Sequence, residues 1–477
     1  MVLHNISLEI GEGECIAVMG ENGAGKTSFC RLLNGLIPHS LGGRLTGTVT
    51  VAGIRTASST VAQIARVAGS VFEDPQTQLF TARVSDEAAF ALENMLMPLD
   101  EIRERVLWAL DAVGLSAYAD YAPSALSGGQ KQRLAIAAAL AMAEKILVLD
   151  EPASQLDPEG ARDILSLINN LHEQKKLTVI MATNSCEEAA EIADRICLLK
   201  SGSLAALGTP QRIFADGCLL DDCGIEPPRP CGVNLKSKFT QIKTGSQDNT
   251  DNVIQIEHVR YRYPDGNMVL RDVNLAFREN EFTAITGRNG CGKTTLLKNI
   301  CGLLRPSQGS ILLRRRDTVD MNTAEIAGEI GFIMQDPDRQ LFESTVINEV
   351  VFSLKQAGRN QPAAMPVNDD IQKKAEQLLA DVGLLGRRDD FPLALGRADR
   401  VKAVFAAVLA TGPRIIMLDE PFAGQDMRGC RLIMGILAGL HRSGYTVIMV
   451  THNARIISEY ARRIIVMEEG CVAEDLT

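Results

Sequence analysis

The chain lacks an apolar run long enough to cross a bilayer, although 46% of its 477 residues are hydrophobic. A spanning helix needs about 20 consecutive apolar residues, and no hydrophobic segment approaches that length. The first ten residues, MVLHNISLEI, lack the basic region of a secretory signal. With 23% charged residues, the composition is typical of a soluble globular protein of two or three domains.

Two further shortages argue against other classes of function. The formal net charge is -10, whereas a large nucleic-acid surface needs an excess of Lys and Arg. Eleven cysteines are scattered along the chain. The local group Cys218, Cys223 and Cys231 has no nearby histidine that would complete a zinc spacing. We therefore expect reduced thiols in a cytosolic protein.

An internal repeat dominates the sequence. GENGAGKT at 20–27 returns as GRNGCGKT at 287–294, and KILVLDEP at 145–152 returns as RIIMLDEP at 414–421. A repeat of this length indicates a duplicated domain rather than a solenoid unit.

The repeat predicts a first domain over 1–230 and a second over 252–477. Residues 231–251 between them lack hydrophobic periodicity and are rich in Ser, Thr, Asn, Asp and Lys. This composition is typical of a flexible linker.

Each copy alternates short apolar strands with helices. ECIAVM precedes the first glycine-rich loop, SFCRLLNGL follows it as a helical pattern, and KILVLD and TVIMAT are later apolar runs. The second copy has the same order. Alternation of this kind predicts an α/β fold in which each copy forms a mostly parallel sheet flanked by helices.

Both glycine-rich loops match G-x-x-x-x-G-K-[ST] and lie between a strand and a helix. Backbone amides of such a loop cradle phosphates, the lysine reaches the β- and γ-phosphates, and the following hydroxyl can hold Mg²⁺. The residues predicted to bind ATP are Gly20, Asn22, Gly23, Gly25, Lys26, Thr27 and Ser28 in the first copy, and Gly287, Asn289, Gly290, Gly292, Lys293, Thr294 and Thr295 in the second.

Each loop is followed later by a hydrophobic strand that ends in Asp-Glu. Asp150 and Asp419 are predicted to hold the metal, together with Thr27 and Thr294. Glu151 and Glu420 are placed to polarise the attacking water.

LSGGQ at 126–130, together with the phosphate loops, resembles the signature of ATP-binding cassette (ABC) ATPases. The resemblance covers nearly the whole chain outside the linker. It implies two P-loop NTPase cassettes in one chain, each with a helical subdomain that carries the signature. It also implies that the cassettes pair head to tail, so that each ATP lies between the phosphate loop of one cassette and the signature of the other.

The resemblance assigns further roles to matching positions. The serine and glycines of the signature, Ser127, Gly128 and Gly129, would grip the γ-phosphate. Gln335 would lie near the metal and the water, and His452 would contact the γ-phosphate. Tyr263, ahead of the second phosphate loop, would stack on adenine.

The two copies depart unequally from the family pattern. The first copy has Glu73 where the glutamine belongs and Asn184 where the histidine belongs. The signature that would face it reads LGRAD at 395–399. The residues of this degenerate site are Glu73, Glu151, Asn184, Gly396, Arg397, Ala398 and Asp399.

All departures would therefore fall in one composite site. Loss of one preorganised donor to a developing charge costs about 3 kcal/mol. We predict that the first site binds ATP but hydrolyses it slowly. The alternative stays open, because Glu73 could ligate Mg²⁺ and Arg397 could itself contact a phosphate.

VLHNISLEIGEGE at 2–14 resembles a cassette whose opening strand is missing. We expect the strand that carries the adenine-stacking residue to be absent from the first cassette. Either the natural cassette lacks that strand, or the sequence begins at an internal methionine of a longer natural chain.

DPQTQLF at 74–80 and DPDRQLF at 336–342, each followed by a helical pattern, indicate what the ATPase drives. They resemble the segment of energy-coupling factor (ECF) and cobalt importers that receives coupling helices of the membrane subunit. The resemblance implies an ATP- and Mg²⁺-dependent importer subunit on the cytoplasmic face of the membrane. Its partners would be a transmembrane coupling subunit and a substrate-binding membrane subunit, with no nucleic acid. The cargo would be a vitamin, a vitamin precursor or a transition-metal ion.

Two other classes of twin ATPase compete with this interpretation. A soluble twin-cassette ATPase that acts on the ribosome remains the alternative, although such proteins carry a long charged linker and keep both signatures. An ATPase of DNA repair or chromosome organisation would insert a coiled coil between Thr27 and Leu126. No sustained heptads occur there.

Overall fold

A computed structural model describes residues 2–142, 145–154, 156–227, 252–264, 266–360 and 368–477. The chain divides into two compact units, Met1–Cys231 with Asp426–Arg428 and Gly232–Gln425 with Gly429–Thr477. The predicted linker over 231–251, with Cys231, lies outside the described residues. The domain boundaries therefore stay a prediction.

The first unit is built on a six-stranded sheet in the order β4-β5-β6-β1-β7-β8. Its core strands are apolar on both faces, as expected for parallel strands covered by helices. The pairs from β4 to β7 are parallel, and β8 pairs with β7 antiparallel. The strands are β1 (Cys15–Met19), β2 (Thr50–Val51), β3 (Ile54–Arg55), β4 (Ala68–Val71), β5 (Ile146–Asp150), β6 (Thr178–Ala182), β7 (Arg195–Lys200) and β8 (Ser203–Gly208).

Helices cover this sheet and form a separate helical region. The helices are α1 (Lys26–Leu33), α2 (Leu36–His39), α3 (Val61–Ile64), α4 (Val84–Asn94), α5 (Leu99–Ala112), α6 (Gly128–Ala141), α7 (Pro158–Lys175), α8 (Cys186–Ile192), α9 (Pro210–Phe214) and α10 (Gly217–Asp222). Buried leucines of α4, α5 and α6, namely Leu92, Leu110 and Leu134, belong to the same core cluster as Leu147 and Leu149 of β5. The helical region is thus anchored to the sheet through apolar packing.

The second unit repeats the architecture. Its main sheet has the order β14-β15-β16-β11-β17-β18, and an antiparallel sheet has the order β10-β9-β12-β13. The strands are β9 (Asn252–Arg262), β10 (Met268–Arg278), β11 (Phe282–Thr286), β12 (Gln308–Leu313), β13 (Arg316–Asp317), β14 (Ile330–Ile333), β15 (Ile415–Asp419), β16 (Thr446–Val450), β17 (Arg463–Glu468) and β18 (Cys471–Leu476). The helices are α11 (Lys293–Ile300), α12 (Thr323–Glu329), α13 (Val346–Asn360), α14 (Asn368–Asp381), α15 (Arg397–Leu409), α16 (Met427–Arg442) and α17 (Ala454–Tyr460). The predicted α/β fold with two cassettes is confirmed.

The antiparallel sheet distinguishes the two units. In the first unit it is reduced to the hairpin β2–β3, and residues 2–14 form no strand. Four side chains from that stretch still pack against the core that contains β1; they are Leu3, Ile6, Leu8 and Ile10. The stretch therefore covers the sheet without joining a ladder.

Among the described residues, no helix is long and apolar enough to cross a membrane. The described cysteines are free thiols. Burial raises the pKa of the thiols of Cys15, Cys186 and Cys197 to about 12, so these side chains are inert apolar fillers.

Candidate functional site

The chemistry-bearing residues of the first unit converge on one edge of its sheet. The phosphate loop at 20–27 follows β1, and Asp150 ends β5. Asn184 follows β6 closely, and Glu73 follows β4. The carboxyl ends of parallel strands share one edge, which is where open α/β sheets bind ligands. The second unit places Asp419, His452 and Gln335 in the same way.

Glycines give both phosphate loops a backbone that other residues rarely adopt. Gly20 has φ 151 and Gly287 has φ 145. A Cβ at either position would collide with a backbone carbonyl oxygen, that of Leu199 or of Met467. The remaining loop glycines also have positive φ; they are Gly23, Gly25, Gly290 and Gly292. The amides of such a loop form an anion-binding nest at the helix N-terminus.

The loop lysines are buried and fold back over their own loops. Lys26 and Lys293 are each 6% exposed. Lys26 Nζ donates to the carbonyl oxygen of Gly20 at 2.9 Å, and Lys293 Nζ donates to that of Gly287 at 2.6 Å. Lys26 Nζ also lies 3.6 Å from Glu151 Oε1. Each ammonium group is thus held inside the cradle that phosphates would enter.

A threonine and an aspartate meet beside each loop. Thr27 Oγ1 donates to Asp150 Oδ1 at 3.2 Å, and the Thr294 hydroxyl interacts likewise with Asp419. Burial raises the pKa of both aspartates. Asp419 Oδ1 is buried, and no described residue donates a hydrogen bond to it. Hard oxygen donors of this kind suit Mg²⁺, which binds one or two carboxylates together with substrate phosphates.

Glu151 and Glu420 occupy equivalent strained positions. Their φ values are 50 and 46, in the left-handed region that L-residues seldom adopt. Such strain is concentrated at functional sites. Burial raises the pKa of Glu151 to about 8 and that of Glu420 to about 7, although the nearby lysine lowers both. The charge of Glu73 contributes to the raised pKa of Glu151.

Asn184 after β6 and His452 after β16 occupy equivalent positions but differ in chemistry. In the second unit His452 Nε2 lies 3.2 Å from Glu420 Oε1 and 3.3 Å from Asn289 Oδ1 of the phosphate loop. In the first unit Asn184 Nδ2 donates to Asn22 Oδ1 at 3.1 Å. Both side chains therefore touch the phosphate loop of their own unit, and only the histidine can carry a proton.

Tyr263 follows β9 and lies against the second phosphate loop. Its hydroxyl is 3.3 Å from Thr295 Oγ1, and its ring makes an edge contact with Tyr261 at 4.9 Å between centroids. The structure thus places Tyr263 beside Thr295 in the first turn of α11. Its stacking on adenine stays a prediction.

The intact signature forms a capped helix start. Ser127 accepts a hydrogen bond from the Gln130 amide at 3.3 Å, and Gln130 Oε1 accepts one from the Ser127 amide at 2.9 Å. This reciprocal capping box fixes the first turn of α6. Gly128 and Gly129 lie in that turn, where an added Cβ would meet only Leu156, near 4 Å.

The altered signature is held differently. Gly396 stands at the N-cap of α15 without a side-chain cap. The Arg397 side chain lies over Gly424, where a Cβ would come within 3.4 Å of its Cζ and Nε atoms. Asp399 accepts hydrogen bonds from Arg387 at 3.0 Å and from Lys402 at 2.8 Å. The arginine and the acid are therefore engaged inside the second unit.

Sequence reasoning missed a pair of buried acids that order the segments after Glu73 and Gln335. We call these the Phe80 segment (Asp74–Phe80) and the Phe342 segment (Asp336–Phe342). Glu87 Oε2 accepts from the Phe80 amide at 3.0 Å and the Thr81 amide at 2.9 Å. Glu349 Oε1 accepts from the Phe342 and Glu343 amides at 2.6 Å each. A glutamate seven residues after the phenylalanine in both copies was the available signal.

The glutamines of the two segments add a second anchor. Gln78 Oε1 accepts from the Phe72 amide at 3.0 Å, and its Nε2 donates to the Ser70 carbonyl at 2.8 Å. Gln340 makes the matching bonds to Met334 at 2.8 Å and Phe332 at 2.9 Å. Each amide thus extends the edge of its parallel sheet and fixes the segment to β4 or β14.

Comparison with known proteins places these observations in a family. The family model described as "ABC transporter" matches residues 3–154 and 270–423. An ABC transporter ATP-binding protein of Caldanaerobacter subterraneus is 35% identical over 98% of this chain and 87% of its own length. One of Methanosarcina acetivorans is 34% identical over 99% and 82%. One of Staphylococcus aureus is 32% identical over 100% and 87%.

Two solved structures are similar to part of the chain. The cbiO1 protein of Clostridium perfringens, part of the ABC transporter complex cbiONQ, is 32% identical over 47% of this chain and 88% of its own, with a TM-score of 0.43. A dimeric ATP-binding cassette with ADP and phosphate bound is 27% identical over 46% and 97%, with a TM-score of 0.42.

Proposed function

We propose that this chain, which belongs to the ABC transporter family and carries two of its ATP-binding cassettes, is the ATP-hydrolysing subunit of a membrane importer. The proposed type is the energy-coupling factor importer. In that type the ATPase works on the cytoplasmic face of the membrane with a transmembrane coupling subunit and a substrate-binding membrane subunit. The cargo class is a vitamin, a vitamin precursor or a transition-metal ion.

An exposed aromatic pair at the end of each anchored segment carries this proposal. Phe80 and Phe342 are each 66% exposed. Phe80 makes an edge contact with Phe90 at 4.7 Å between centroids, and Phe342 with Phe352 at 5.0 Å. In each unit a buried glutamate and a glutamine hold the segment so that its phenylalanine ring stays exposed to water. The exposed ring adds nothing to the unit's own core. It suits a partner helix that inserts an apolar face.

The proposed ATP chemistry uses the residues at the sheet edge. Mg²⁺ would be held by Thr27 and Asp150 in one site and by Thr294, Asp419 and Gln335 in the other, where it would neutralise charge on the phosphates. Lys293 binds the β- and γ-phosphates from inside its loop. Glu420 orients the attacking water, and His452, which lies 3.2 Å from Glu420, contacts the γ-phosphate.

We further propose that the two cassettes use each other's signatures. Ser127 and Gly129 of the first cassette then complete the site of the second phosphate loop. The degenerate site keeps Glu151 but has Glu73, Asn184 and the LGRAD segment. Slow hydrolysis at this degenerate site is supported by the chemistry of Asn184, which reaches Asn22 but cannot supply a proton.

Flotation of native membranes from cells that express the tagged full chain tests the proposal. We expect the wild-type chain to float with membranes and to retain at least one integral membrane protein, the coupling subunit, in fixed stoichiometry. We expect the double variant Phe80→Ser, Phe342→Ser to stay in the soluble fraction while it binds ATP normally. Leu432→Ser, at another position that is half exposed, is the matched control and should float like the wild type.

Two outcomes would contradict the proposal. A wild-type chain that sediments with ribosomes would favour the ribosomal class of twin ATPase. If the double phenylalanine variant still floated with membranes, the Phe80 and Phe342 segments would not be the site of partner binding.

A further inference from the structure

The first turn of α15 is tied to the Phe342 segment. Arg400 Nη1 donates to Asp338 Oδ1 at 2.7 Å and to Asp338 Oδ2 at 2.6 Å. Arg400 Nε donates to the Leu395 carbonyl at 2.8 Å. The guanidinium thus bridges the altered signature, which contains Leu395, and the segment that ends at the exposed Phe342. Charge-assisted bonds of this length are among the stronger hydrogen bonds.

The first unit has a different chemistry at the matching positions. Lys131 stands where the second unit has Arg400, and Gln76 stands where it has Asp338. A neutral amide cannot form an ion pair. The link is therefore specific to the unit whose signature is altered.

Further contacts within the second unit hold the altered signature in place. Arg397 lies over Gly424, and Asp399 accepts from Arg387 and Lys402. Asp399 stands where the intact signature has the capping residue Gln130, and Arg397 stands where it has Gly128. Arg400 then connects this first turn of α15 to the Phe342 segment.

We infer that Arg400 is a positioning residue, which joins the Phe342 segment to the altered signature so that the two move as one body. Within the part of the chain that the structure describes, no hydrogen bond or ion pair joins Gln76 of the Phe80 segment to Lys131 of α6. The inference itself concerns contacts inside the second unit. Its consequence, that the second unit presents Phe342 to a partner in a fixed orientation relative to α15, rests on the proposed function.

Amide hydrogen exchange of the nucleotide-free full chain tests the link through a double-mutant cycle. The variants are Arg400→Gln, Asp338→Asn and the pair together. An ion pair of this partial exposure corresponds to about a two- to fivefold change in local opening. We expect each single variant to speed exchange over 336–343 by that factor and the pair to do no more than either single variant.

Lys131→Gln is the matched control in the first unit and should leave exchange over 74–81 unchanged. A purely structural role would instead lower the melting temperature and speed exchange throughout α15. Arg400→Lys should restore part of the protection, because it keeps the charge but loses the bond from Nε to Leu395.

Additive effects of the two single variants, or unchanged exchange over 336–343, would overturn the inference. The outcome is independent of membrane flotation. A non-additive cycle in a chain that does not float would uphold the link and reject the proposed function. An additive cycle in a chain that floats would reject the link and uphold the proposed function.

Discussion

Glu151 and Glu420 show how little separates the two candidate sites at the scale of single residues. Both have positive φ, their side chains are 16% and 18% exposed, and desolvation raises the pKa of both carboxyl groups. The difference lies in the neighbour across the edge of the sheet. His452 lies 3.2 Å from Glu420, whereas the first unit has Asn184 at the corresponding place.

Replacing each glutamate in turn measures this asymmetry. We expect Glu420→Gln to lower ATP hydrolysis by on the order of a hundredfold, as the loss of a key polar group in a water-excluded site does. We expect Glu151→Gln to retain most of the wild-type rate, because a site with Asn184 and Glu73 contributes little turnover. Steady-state phosphate release by the purified chain is the measurement.

ATP binding by both variants, followed with a fluorescent nucleotide, is the control, since the glutamine substitution leaves the phosphate loops intact. Equal losses in the two variants would mean that Asn184 and Glu73 tolerate hydrolysis. The asymmetry would then be wrong.

At the scale of elements, one buried side chain of α13 holds the Phe342 segment in place. Glu349 is 2% exposed and accepts two backbone amides at 2.6 Å through the same oxygen. Burial raises the pKa of this carboxyl group, and the two amide bonds oppose the shift. The segment and its exposed ring therefore depend on an acceptor that water cannot easily replace.

Glu349→Leu removes that acceptor at nearly constant volume. We expect a loss of about 2 kcal/mol in the free energy of unfolding, because two backbone donors lose their partner in a buried place. Chemical denaturation of the full chain measures it. Glu349→Gln keeps one oxygen that can accept both amides and should lose less.

Lys355→Leu adds the same apolar side chain at an exposed position of α13 and serves as the control. We expect it to leave stability nearly unchanged. A loss of similar size in Glu349→Gln and Glu349→Leu would show that charge rather than hydrogen bonding holds the segment.

At the scale of the whole molecule, the parts that sequence predicted are those encoded in short windows. The glycine loops, the buried strands such as Ile146–Asp150 and Ile415–Asp419, and the repeat itself led to two α/β cassettes. The partners of Arg397, Asp399 and Arg400 could not be predicted in this way. Arg400 and Asp338 are 62 residues apart, and their contact depends on how α15 packs beside the end of β14.

A charge placed in the intact signature tests whether the cassettes serve each other. We expect Gly129→Asp to lower ATP hydrolysis as much as Glu420→Gln, because a carboxylate in the first turn of α6 would repel the γ-phosphate held by Lys293. The combination of Gly129→Asp with Glu420→Gln should lose no more than either alone, since both changes act on one site. Phosphate release is again the measurement.

Ala398→Asp makes the same change in the altered signature and should leave the rate nearly unchanged. The decisive comparison uses the Glu151→Gln background, in which turnover depends on the second phosphate loop. If each phosphate loop used the signature of its own cassette, Gly129→Asp would have no effect there, and Ala398→Asp would abolish the remaining activity. Loss of activity through Gly129→Asp alone would instead tie a residue of the first cassette to turnover at the loop of the second.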